Sequence, residues 1–316
     1  MTYSTQLNTD DSANTVFQSF TDKRQNPTLF LLLDEPLNWT HAWSIRNLLK
    51  GKKIKHLDVV IRSGGGDIHV AYVIVQLLRS HAEIISACVP FYATSAATLI
   101  CIGADEIILD ELAYLGPLDP QYNKRGNDSI EKHQTSSLDL FQSLGALKKF
   151  STESFEEVVR RLLLADILSP DRCVEQAAKF SHGITDALFT KLSPEVFGEH
   201  ERHLEMSARY AMQILRRCGK WTSDEKIVSL AQQLVYGYPS HGYIIDFQEL
   251  KNIGLESQVK LFTHSESDVV EALIPYPGSP VQYLEPQDYK QEMGFVLAED
   301  PNGCSDAALT PEMQSA

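Results

Sequence analysis

The run Tyr92–Gly103, YATSAATLICIG, sets Thr94, Ser95 and Thr98 among small residues inside an uncharged stretch from Ile84 to Ala104. Ser95 lies where a helix should begin and is flanked by Ala93, Ala96 and Ala97. A serine in such a turn can expose its hydroxyl with little bulk around it, as a nucleophile requires. The same residues also suit a plain helix start, with Ser95 or Thr94 as N-cap and the alanines allowing close packing. A second turn, RSGGGD (62–67), lies about 30 residues earlier. Three consecutive glycines open backbone conformations closed to other residues and leave amides unshielded beside the positive end of a helix starting at Asp67. That is an anion hole, for an oxyanion or a phosphate. The spacing is not GxGxxG, and the Lys-Ser/Thr pair of a Walker A loop is missing. A tight turn without a ligand accounts for the triplet equally.

The elements that must carry these turns are legible as an alternation. TLFLLLD, LDVVIR, EIISACV and EIILDE read as short strands; THAWSIRNLLKG, DIHVAYVIVQLLRSH and TSAATLICIGA read as helices between them. Strands alternating with helices imply a parallel sheet with crossover helices. Both turns then lie at the carboxyl edge of that sheet, where ligands usually bind. The helix from Asp67 is the clearest, with Val70, Val73, Ile74, Leu77 and Leu78 at helical spacing and Asp67 as its cap. From Glu153 the chain reads as mostly helical, and in DFQELKNIGL Asp246 is expected as N-cap and Gly254 as the stop. Three regions are expected: a polar N-terminal tail (1–26), one α/β domain (27–265) and an acidic, proline-rich C-terminal tail (266–316).

Composition narrows the function. The 316 residues are 43% hydrophobic and carry 28 Lys plus Arg against 42 Asp plus Glu, a formal charge of -14. Such a chain repels phosphates and anionic membranes, so no nucleic acid partner is expected. Five cysteines without a CxxC pair suggest neither a zinc site nor a disulfide framework, and the scattered histidines lack HExxH or similar spacing. No metal and no cofactor is called for. The opening residues lack a signal-peptide pattern, and Pro90 with the hydroxyl residues interrupts the 84–104 run, so no membrane span and a cytoplasmic location are expected.

VVIRSGGGDIHVAYVIVQLL followed by ATSAATLICIGADEIILDELAYLGPLDPQ resembles the core of the Clp protease and signal peptide peptidase A superfamily, which shares the crotonase fold. Within it the chain is most similar to the serine dehydrogenase proteinase family, whose later motif YPSHGYIIDFQELKNIGL resembles. The likeness runs from about residue 28 to 256. It implies an α/β fold of repeated β-β-α units around a parallel sheet, with a largely helical second half, and a homo-oligomer acting on a protein or peptide substrate. No ATPase partner is legible. It further implies Ser95 as nucleophile, with the Ala96 amide and an amide of the glycine turn, expected from Gly65, as oxyanion hole. Gly116 stands where Clp peptidases carry their catalytic histidine.

Relatives like signal peptide peptidase A use a lysine base, which directs attention to SSLDLFQSLGALKKF (136–150). There Leu138, Phe141, Leu144 and Lys148 share one side of a helix while Lys149 turns away. A buried ammonium loses its proton more easily and can then accept one from a serine hydroxyl; a lysine at a helix end can equally snorkel to water. Lys148 is thus the expected base of a Ser/Lys endopeptidase, with Lys124, His133 and Lys149 as alternatives. His241, in a Pro/Gly loop, is a further candidate proton carrier or simply a loop histidine. Asp119 in LGPLDPQ is expected to fix a turn with Pro120 rather than orient a base. Two other readings stay open: a catalytically silent scaffold that binds peptides or drives assembly, and acyl-CoA chemistry, where glycine-turn amides hold a thioester oxyanion.

Overall fold

The computed structural model describes residues 11–123, 134–190, 193–219, 223–274 and 282–286. The chain runs α1 (Asp11–Arg24), β1 (Thr28–Leu33), α2 (Trp39–Leu49), β2 (Ile54–Ser63), α3 (Ile68–His81), β3 (Ala82–Val89), β4 (Tyr92–Ala93), α4 (Ala96–Ile102), β5 (Glu106–Leu109) and β6 (Tyr114–Leu115). There follow β7 (Gln121–Asn123), β8 (Gln134–Ser136), α5 (Ser137–Ala165), α6 (Pro170–Phe189), α7 (Pro194–Cys218) and α8 (Asp224–Tyr236). The last elements are α9 (Phe247–Leu250), which runs into a π turn (Lys251–Leu255), then β9 (Val259–Leu261), α10 (His264–Glu271) and β10 (Gln282–Leu284).

The fold is α/β. Its sheet has the order β10-β1-β2-β3-β5-β9, parallel from β1 to β9, with β10 antiparallel on the β1 edge. Strand residues alternate between two apolar layers, as a pleat of period two requires. Leu29, Leu31, Leu57, Val59, Ile61, Ala87 and Ile107 face the main core under α2, α3, α4, α7 and α8. Phe30, Leu32, Val60, Cys88 and Ile108 face a second core with Phe17, Phe20, Phe262 and Val270. Burial on both faces is why TLFLLL reads as a continuous apolar run.

The expected tails contribute to that second core. Residues 11–24, within the segment expected to be a polar tail, form α1, whose Phe17 and Phe20 are buried beneath β1. At the other end α10 packs Val270 into the same layer, and β10 pairs Thr28 with Leu284, beyond the boundary expected at residue 265. Phe17 and Phe20, with Val16 beside them, make too narrow a stripe for periodicity to register. The mostly helical second half is as expected: α5 and α6 form a long hairpin, and α7 lies across α3 and α4. No helix among the described residues is long and apolar enough to cross a membrane.

Candidate active site

The two turns are neighbours because β2 and β4 are. Ser63, the last residue of β2, pairs with Ala93, and the Thr94 amide donates to the Ser63 carbonyl at 3.0 Å. This lays the glycine turn against Ser95. A Cβ on Gly65 (φ +97) would stand 2.7 Å from Ser95 Cβ and 2.9 Å from the Ala96 nitrogen, so only glycine permits the approach. Gly66 (φ +141) is equally constrained, for its Cβ would meet the Leu37 carbonyl oxygen at 2.7 Å.

Ser95 has φ 53 and ψ -124, a conformation a side chain adopts at a cost of about 1–3 kcal/mol. What holds it there is α4, every residue of which is buried. Although Ser95 occupies the N-cap position, its side chain makes no capping bond. The hydroxyl is therefore not consumed by the helix. Nearby donors divide into two kinds. The Gly65 amide, expected as an oxyanion donor, donates to Ser63 Oγ at 3.1 Å. Among the described residues the amides of Gly66 and Ala96 have no partner.

A short ladder continues from Ser95 toward the second half of the chain. Tyr92 and Ala93 pair with Tyr114 and Leu115 of β6, and Leu115 exchanges both backbone bonds with Ile245, at 2.9 and 3.0 Å. Gly116, at the position of the Clp histidine, follows directly. A Cβ there would lie 2.8 Å from Thr94 Cβ, and the Thr98 hydroxyl ties its carbonyl down at 2.8 Å, so no imidazole fits. The bridge to Ile245 instead delivers the loop carrying His241. His241 Nδ1 bonds Asp119 Oδ1 at 2.9 Å, and Asp119, fully buried, also accepts from the Ser136 hydroxyl. A carboxylate only accepts, so a neutral His241 holds its proton on Nδ1, leaving Nε2 as the acceptor.

Ser95, the three glycines, Tyr92, His203 and His241 line one cavity of about 540 Å³. Lys148 does not. α5 packs on α7 through Phe141, 4.3 Å from Phe197 by ring centroids, and along α6, but the Lys148 side chain is exposed. Helical spacing puts it on an apolar stripe with Leu138, Phe141 and Leu144, yet among the described residues nothing buries it. Lys149 is exposed too, 3.7 Å from Glu153. Lys124 and His133 lie outside the described residues. Asp119, expected to do no more than fix a turn, holds a histidine 122 residues away, a pairing that no spacing signals. Among the described residues no cluster of His, Cys, Asp and Glu has a metal-holding arrangement.

A family model of ClpP-like SDH-type serine proteinases matches residues 43–208. This chain belongs to that family. The matched segment carries both turns and most of α7. The chain is similar to two uncharacterised proteins of Methanocaldococcus jannaschii. One is 29% identical over 212 residues, covering 67% of this chain and 57% of the relative. The other is 26% identical over 240 residues, covering 75% and 63%. The matches thus span less than two thirds of either relative's length. Among solved structures, a ClpP1 variant from Listeria monocytogenes aligns over 81% of this chain and 99% of its own, at 11% identity and a TM-score of 0.36.

Proposed function

We propose that this chain is a serine endopeptidase that works through an acyl-enzyme, with Ser95 as nucleophile and His241, oriented by Asp119, as general base. The observation that carries the reading is the meeting, in one cavity, of a strained, uncapped serine with a histidine whose Nδ1 is bound to a buried carboxylate. In the first step His241 Nε2 takes the Ser95 proton as Oγ bonds to the scissile carbonyl carbon. The resulting oxyanion is held by the Ala96 amide and by Gly66, the glycine-turn amide that Ser63 does not occupy. His241 then gives its proton to the departing amine as the carbon–nitrogen bond breaks. Water, activated by the same imidazole, releases the acyl group. Serine and histidine need not be bonded before substrate arrives, since catalytic hydrogen bonds tighten in the complex. Lys148, the expected base, has neither the burial nor the position for the role within one chain.

The substrate is a protein or peptide, and the working form is a homo-oligomer. The exposed Leu164 and Ile167 where α5 gives way to α6 support the second statement, as apolar side chains that assembly would cover. A fluorophosphonate probe tests the first. It should add once to the wild type, as read by intact mass, and not at all to Ser95→Ala. A folded, assembled wild type that takes no adduct would leave the silent scaffold as the better reading.

A further inference from the structure

The stretch SSLDLFQSLGALKKF contributes its first two residues, not its lysines, to the site. Ser136 caps α5: its Oγ accepts from the Leu138 amide at 2.9 Å, and its own amide donates to Asp139 at 3.2 Å. Having accepted there, the hydroxyl directs its single proton to Asp119 Oδ2. Beside it the Ser137 amide donates to the Pro120 carbonyl at 2.8 Å, and Ser137 Oγ meets His200 Nδ1 of α7 at 2.9 Å. Residues 119–120 are thus fastened to 136–137 by two bonds, all within buried or half-buried protein.

We propose that Ser136 is the positioning residue for His241, acting through Asp119, so that the docked first turn of α5 sets the orientation of the base. The inference rests on the reading of His241 as the base. Its physical content is the satisfaction of both Asp119 oxygens. Without the Ser136 donor one oxygen of a fully buried carboxylate is unpaired, and the side chain can regain a partner only by turning away from His241. With the donor present, Oδ1 is held to His241 Nδ1–H, which fixes the tautomer and aims the ring. Since α5 continues outward as the long hairpin with α6, its docking and the competence of the base are one event.

The test separates this from a capping role. Glycine is an adequate N-cap, so Ser136→Gly gives up the bond from the Leu138 amide at little cost to the helix start while removing the donor to Asp119. The rate of fluorophosphonate labelling at saturating probe should fall by about 10–100-fold, as small misplacements of a reacting group do. Apparent probe affinity and helix content by circular dichroism should stay near wild type, and Ser136→Thr, which keeps the hydroxyl, should restore the rate. In an Asp119→Asn background Ser136→Gly should change the rate less than about twofold, because the two residues act as one unit. A wild-type rate in Ser136→Gly, or a full additional loss in the Asp119→Asn background, would overturn the inference. A wild-type rate in His241→Ala would instead defeat the underlying reading of the base, and this inference with it.

Discussion

Two groupings of serine, histidine and aspartate among the described residues are built in opposite ways. At the carboxyl edge of the sheet stand Ser95, His241 and Asp119. On the sheet's second face, beneath α1, stand Ser86, His56 and Asp58, where His56 Nε2 is 2.8 Å from Ser86 Oγ and 3.7 Å from Asp58 Oδ1. By distance alone the second grouping is the tighter. Yet Ser86 sits mid-strand in β3, fully buried, with its proton directed to Glu106 at 3.4 Å. His56 must therefore donate to Ser86, the reverse of what a general base does. Asp58 is taken up by two bonds from Arg24, at 2.8 and 3.1 Å, and a third from Asn26 at 3.2 Å. The second grouping is a polar network whose groups are committed to one another and to Arg24 of α1. The difference lies in backbone and bond polarity: a strained turn that leaves its hydroxyl uncommitted against a strand that commits every donor.

The sharpest way to break this comparison is to exchange the residues' importance. His241→Ala should slow labelling of Ser95 by about 10²–10⁴-fold, the usual worth of a positioned base, while His56→Ala and Lys148→Ala should each stay within about twofold of wild type. Ser86→Ala should label at the wild-type rate and lose about 1 kcal/mol of stability in urea unfolding, for the bonds of one buried hydroxyl. Strong slowing by Lys148→Ala would return the base to α5, supplied across an assembly.

How much of this was legible in the sequence follows from the range of each interaction. The parallel sheet, the Asp67 cap and the pairing of the two turns rest on local periodicity and on a crossover rule, so Gly65 and Ser95 could be brought together from residue types alone. α1 could not be seen, because Phe17 and Phe20 acquire meaning only from Phe30 above them, at ring-centroid distances of 4.8 and 6.0 Å. Helical spacing says which residues share a face with Lys148 and nothing of what lies opposite, so its exposure cannot be read from the sequence. The His241–Asp119 pair depends on β6 meeting Ile245 through a bridge too short to leave any pattern.

Within the glycine turn the comparison sharpens to a single methyl group. Gly65→Ala places a Cβ 2.7 Å from Ser95 Cβ at φ +97, whereas a Cβ on Gly64 meets nothing within 4 Å. Gly65→Ala should lose about 1–3 kcal/mol in urea unfolding and most of its labelling, and Gly64→Ala should remain within about 0.5 kcal/mol and label normally. Equal behaviour of the two variants would mean that the turn does not press on the serine.

The smallest expected effect belongs to the second region and is read by pH. Glu266 of α10 bonds Arg24 at 2.7 Å. Burial pushes its carboxyl up, but the Arg24 guanidinium and the Thr263 hydrogen bonds outweigh burial and hold it below its ordinary value of 4.5. A carboxyl depressed by folding adds stability that is fully present above that ordinary value and is lost as pH falls through the lowered one. Because the group is partly open to solvent, the gain is that of a screened pair, under about 1 kcal/mol. The thermal midpoint of the wild type should therefore fall between pH 5 and pH 3 by slightly more than that of Glu266→Gln, while the two proteins label at the same rate at neutral pH. Since α1 and α10 meet over the sheet face away from Ser95, a labelling rate that changed with Glu266→Gln would show that this polar network and the open site are mechanically joined.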